Sequence, residues 1–108
     1  MITTHVLDTA LGRPAKAVPV TLDLRAADGS WRLIGQGATD ADGRLRTLSA
    51  AEVEPGVYRI SFDTAAYFGA QAAFYPEVRI VFEVRDRGAH CHVPLLLAPY
   101  GYSTYRGS

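Results

Sequence analysis

Val18-Pro19-Val20-Thr21-Leu22-Asp23-Leu24-Arg25 sets the reading of the whole chain, because an apolar residue stands at every second position with proline, threonine, aspartate and arginine between. A period of two sends successive side chains to opposite faces of a sheet, so this stretch is a strand with one buried and one wetted face. The same alternation recurs in Val78, Ile80, Phe82 and Val84 against Arg79, Glu83 and Arg85, and in Tyr58, Ile60 and Phe62 against Arg59 and Ser61 after Pro55-Gly56. Ala27-Asp28-Gly29-Ser30 reads as a hairpin turn into a strand from Trp31 to Ala38, and Asp42-Gly43 as a second turn. Asp63 or Thr64 caps one short helix through Phe68 that ends near Gly69; Ser49 to Val53 reads as a further single turn stopped by Pro55. About eight short strands and one short helix predict an all-β antiparallel sandwich or barrel. No repeat or linker interrupts the pattern, so residues 1–108 are read as one domain with one core.

The chain carries 11 basic and 11 acidic residues, which leaves no long-range field to favour nucleic acid or an anionic membrane. Its single cysteine, Cys91, excludes an internal disulfide framework and suits a reducing compartment. The opening residues do not have the form of a secretory leader, and no apolar run nears the roughly 20 residues of a membrane helix. The ending Arg106-Gly107-Ser108 does not match a peroxisomal Ser-Lys-Leu address. The expected location is the cytoplasm, with neither membrane nor nucleic acid as partner. Val93-Pro94-Leu95-Leu96-Leu97-Ala98-Pro99 is apolar on both faces, so its second face needs a cover, and another copy of the chain is the expected one.

Imidazole is the usual acid or base at neutral pH, which makes the three histidines candidates. His5 shares a strand face with Thr3 and Leu7; taken alone, a strand histidine is more often simply hydrogen-bonded. His90 and His92 share a face, with Cys91 pointing the other way. A His-x-His pair with His5 has the nitrogens to chelate a metal, but no third ligand is close in sequence, so neither metal nor cofactor is expected. Asp40-Ala41-Asp42-Gly43 lacks the glycine register and closing glutamate of a calcium loop and is read as a turn. Arg44 and Arg46 share a face after that turn. Beside a histidine, such a guanidinium binds a planar, carbonyl-rich substrate and stabilises developing negative charge, and Arg44 is favoured because it adjoins Gly43. Three tyrosines in the last ten residues read as a packed final strand that holds Ser108 in an ordered place. Neither a Ser-His-Asp arrangement nor a Gly-x-Ser-x-Gly elbow is present, so imidazole-activated water fits better than an acyl-enzyme.

Five segments in order, Thr4-His5-Val6-Leu7-Asp8, Gly12-Arg13-Pro14-Ala15, Asp42-Gly43-Arg44, His90-Cys91-His92-Val93-Pro94-Leu95-Leu96-Leu97 and Tyr105-Arg106-Gly107-Ser108, resemble the 5-hydroxyisourate hydrolases of the transthyretin-like family. The resemblance covers nearly the whole chain. It implies a transthyretin-like sandwich of two four-stranded sheets with one short helix, a homotetramer, and active sites where two dimers meet. It further implies hydrolysis of the cyclic amide 5-hydroxyisourate to 2-oxo-4-hydroxy-4-carboxy-5-ureidoimidazoline in urate breakdown. The catalytic set it implies is His5, Arg44, His92 and Ser108, with His5, Arg44 and Tyr105 binding substrate; His90 stays outside that set. A hormone carrier on the same fold is the rival reading, and an adhesion-type structural sandwich the third. The carrier would not need His5, Arg44, His92 and a Tyr-Arg-Gly-Ser ending, and the structural sandwich would need no pocket.

Overall fold

A computed structural model describes residues 1–108 as two sheets enclosing one core. One sheet joins β4 (Trp31–Ala38), β3 (Pro19–Arg25), β6 (Gly56–Phe62) and β7 (Val78–Val84), antiparallel throughout. The other runs β2 (Arg13–Pro14), β1 (Ile2–Asp8), β8 (Cys91–Ala98) and β9 (Gly101–Thr104), and β5 (Arg44–Leu45) also pairs with β1. This sheet has five strands where the resemblance implied four. The surplus comes from β2 and β5, two residues each, which lie antiparallel to β1, β2 at its end beside Leu7 and Asp8 and β5 at its middle beside Thr4 and His5.

The alternation read from the sequence becomes the inside and outside of these sheets. Val20 and Leu22 of β3, Tyr58, Ile60 and Phe62 of β6, and Val78 and Val84 of β7 meet Ile2 and Val6 of β1 and Val93, Leu95 and Leu97 of β8 in one cluster of 19 buried apolar residues. The turn at Asp28-Gly29 closes as expected: Gly29 has φ +87°, and the Asp28 carboxylate accepts from the Ser30 amide at 2.9 Å and hydroxyl at 2.6 Å. The helix α1 (Thr64–Phe68) is capped by Asp63, whose side chain accepts from the Ala66 amide, and it ends at Gly69. The turn expected at Ser49 to Val53 is not helical. The Ser49 hydroxyl accepts from the Ile2 amide at 2.7 Å instead of capping a turn, and Leu48 and Val53 on either side are drawn into the core.

One pairing was invisible to local pattern: β1 and β8 lie side by side and parallel, with Thr3 opposite His92, His5 opposite Pro94 and Leu7 opposite Leu96. The start of the chain and its last long strand thus share one outer face. The doubly apolar stretch is explained in two parts. Val93, Leu95 and Leu97 fill the core, and Pro94 is buried under the chain's own tail, which leaves Leu96 half-buried beside Leu7.

Candidate functional site

Three of the sequence candidates, Arg44, His92 and Ser108, come together at one end of that outer face, while His5 and Tyr105 do not line the same depression. Thr3, Arg44, Arg46, His90, His92 and Ser108 line a shallow depression of about 180 Å³. Arg44 reaches it because β5 docks against β1 opposite His5, and the dock depends on Gly43. Gly43 sits at φ +75°, and a Cβ there would lie 2.4 Å from the Val6 carbonyl oxygen, which accepts nothing bulkier than hydrogen at that approach. The turn is closed by the Asp40 carboxylate, which accepts from the amides of Asp42 at 2.9 Å and Arg44 at 3.0 Å. Those bonds, the Arg44 amide first, hold the Asp40 carboxyl below the usual range.

His5 is oriented by the same turn. Its Nε2–H donates to the Asp42 carbonyl at 2.8 Å; a carbonyl can only accept, so in the neutral ring Nδ1 is left bare as an acceptor. His92 is held from two sides. Its Nδ1 lies 2.8 Å from the Thr3 hydroxyl, and its carbonyl accepts from the Gly107 amide at 2.9 Å. The tail backbone lies on the ring: a Cβ on Gly107 would come within 2.5 Å of His92 Cδ2 and 3.2 Å of Pro94 Cγ. Burial, then the Arg44 cation, then His5 and His90 push the His92 ring below its ordinary value of 6.5, which favours the neutral ring at neutral pH.

Tyr105 stands apart from the depression. It lines a neighbouring hollow of about 520 Å³ between β7 and β8 with Arg106, and His92 is the residue common to both. The tail is a strand only through Thr104, and it is not the packed one expected, because Tyr100, Tyr102 and Tyr105 are all exposed; beyond β9 the chain rejoins the sheet at an isolated bridge between Gly107 and His92. No three His, Cys, Asp or Glu side chains converge as a metal-holding group. Sequence reasoning gave no role to Thr3, whose hydroxyl also lies 3.2 Å from His90 Nε2. Its i, i+2 relation to His5 was legible, but its meeting with His90 and His92 depends on the β1–β8 register. A far larger groove of about 890 Å³ crosses the outer face of the other sheet, where Arg59 donates to Asp23 from Nε at 3.1 Å and Nη2 at 3.0 Å. It contains none of the candidate residues.

The profile of the HIUase/Transthyretin family matches residues 2–107. The chain belongs to that family. Within the HIUase/Transthyretin family, the 5-hydroxyisourate hydrolase of Salmonella dublin is 41% identical over 111 residues, spanning 100% of this chain and 81% of that protein. The uric acid degradation bifunctional protein TTL of Arabidopsis thaliana is 46% identical over 121 residues; these span 99% of this chain but 37% of that longer protein. Among solved structures, transthyretin from Sparus aurata superposes with a TM-score of 0.91 at 33% identity, covering 98% of this chain and 95% of that one. The 5-hydroxyisourate hydrolase of Klebsiella pneumoniae superposes at 0.86 with 36% identity, covering 99% and 98%. The fold therefore matches both branches of the family, and the choice of activity rests on side chains. No helix is long and apolar enough to cross a membrane.

Proposed function

We propose that this chain is a 5-hydroxyisourate hydrolase acting in urate degradation, with His5, Arg44, His92 and Ser108 as its catalytic set and His5, Arg44 and Tyr105 binding substrate. The observation that carries the reading is the convergence of Arg44, His92 and Ser108 on one depression, next to a His5 ring with its free nitrogen fixed. A neutral imidazole takes a proton from water as the oxygen adds to the ring carbonyl. The Arg44 guanidinium stabilises the resulting oxyanion, the ring C–N bond breaks, and the leaving nitrogen receives the proton. Nothing in this sequence calls for a metal or other cofactor. Tyr105, across His92 from the depression, is proposed to meet the substrate from the tail side. The assembly that goes with this reading is a homotetramer in the cytoplasm, its sites completed where two dimers meet over the Leu7 and Leu96 face.

The test is to generate 5-hydroxyisourate with urate oxidase and follow its ultraviolet decay with the protein added. Accelerated decay is expected, and decay at the spontaneous rate overturns the reading. His92→Asn and His5→Asn should each lower turnover by roughly a hundred- to ten-thousandfold with an unchanged circular dichroism spectrum. Full turnover in His92→Asn would remove it from the set. The family name also covers transthyretin, and saturable ligand binding without turnover would favour the carrier.

A further inference from the structure

Thr3 is buried to 6% exposure on the outer face of β1, and its hydroxyl touches two imidazoles, His92 Nδ1 at 2.8 Å and His90 Nε2 at 3.2 Å. Thr4, on the opposite face, gives its hydroxyl to the Val93 carbonyl at 2.6 Å, which is ordinary strand bonding. Thr3 is different because both its partners can titrate or change tautomer. A hydroxyl has one proton and two lone pairs, so between two neutral rings it donates to one and accepts from the other. The proton positions on His90 and His92 are therefore linked through a single side chain. If Thr3 donates to His90 Nε2, it accepts from a proton on His92 Nδ1, and His92 Nε2 is bare. If it donates to His92 Nδ1, the His92 proton moves to Nε2 and that atom cannot act as a base. Nδ1 is occupied by Thr3 in either case, so only Nε2 is left to meet water. β-Branching restricts rotation about χ1, which fixes the hydroxyl between the rings.

We propose that Thr3 is a positioning residue that, with neutral His90, holds His92 in the tautomer protonated on Nδ1, keeping Nε2 free to take a proton from water. The proposal rests on the hydrolase reading for its catalytic meaning but not for its geometry. When His92 accepts that proton at Nε2, its Nδ1–H stays bonded to Thr3, so the cation forms without rearrangement.

Two substitutions separate hydroxyl from shape. Thr3→Val keeps the branch and loses the donor, and should lower kcat by roughly ten- to a hundredfold with KM nearly unchanged; Thr3→Ser restores the hydroxyl and should recover most of the loss. Nitrogen-15 shifts of the His92 ring, read in the free protein above its titration range, are expected to show a protonated Nδ1 and a bare Nε2. Thr3→Val, and also His90→Ala, which frees the hydroxyl proton to turn towards His92, should shift that spectrum towards Nε2–H. A wild-type ring protonated on Nε2, full kcat in Thr3→Val, or a Thr3→Ser protein no better than Thr3→Val would each overturn the proposal. The ring spectrum needs no substrate, so it tests the hold of Thr3 on His92 even if 5-hydroxyisourate proves not to be turned over.

Discussion

His92 combines partial burial with a guanidinium and two further imidazoles nearby, and every one of these disfavours its cation. The opposing pull is small, so the ring releases its proton below its ordinary 6.5. Two consequences follow with a definite sign. On acidification the unfolded ring protonates first, so the unfolded chain binds more protons. The stability contributed by keeping His92 neutral is thus present above 6.5 and is lost as the pH falls through the lower folded value. Urea midpoints measured above and below that window should fall on the acid side, less steeply in His92→Asn. Arg44 is the largest charge acting on the ring, so Arg44→Gln should raise the His92 titration midpoint in a proton NMR titration and carry the acid limb of residual kcat/KM with it. An unmoved midpoint would mean that Arg44 does not face His92 in solution.

At the scale of elements, the tail after β9 is a strap over His92, not a structural strand. Tyr105, Arg106 and Ser108 are exposed and none belongs to the core, whereas the Gly107 amide bonds the His92 carbonyl and the glycine lies against the ring. Deleting Arg106 to Ser108 should therefore abolish turnover while leaving the melting temperature nearly unchanged; retained turnover would move the site elsewhere. The sequence showed that the tail was ordered but not what it touched. The same division runs through the fold. The strands β3, β6 and β7 were legible because each spans seven residues of alternating polarity. The strands β2 and β5 were not, because two residues hold no period and their pairing is set by the turns that deliver them. The parallel register of β1 on β8 joins residues nearly ninety positions apart, which no local pattern encodes, and it alone explains why Thr3 meets the His90 and His92 pair. His5 and Arg44 were legible as residue types, and the family resemblance assembled them; Gly43, whose left-handed turn lets Arg44 approach, was read only as a turn signal.

For the whole molecule, the outer face of the β1–β8 sheet divides by what covers it. Around Pro94 the chain's own tail provides the cover, while Leu7 and Leu96, neighbours across the parallel pair, are left only half-buried. If two dimers meet over this pair, the proposed tetramer places apolar contact beside the His5 and His92 positions and closes the depression from above. An arginine there would bring an unpaired charge into that contact, at a desolvation cost of several kcal/mol per ion, whereas in the isolated chain it would point to water. Leu96→Arg is therefore expected to leave the fold intact and to change only the assembly. In sedimentation velocity the wild type should run at four times the 11.7 kDa chain mass, and Leu96→Arg at a smaller multiple. Because the site is taken to be completed by the neighbouring dimer, turnover should fall with the mass, and raising the variant's concentration should restore both together. A Leu96→Arg protein that keeps the wild-type mass would place the dimer contact on another face. One that dissociates yet retains full turnover would mean that a single dimer or chain already holds every group the reaction needs.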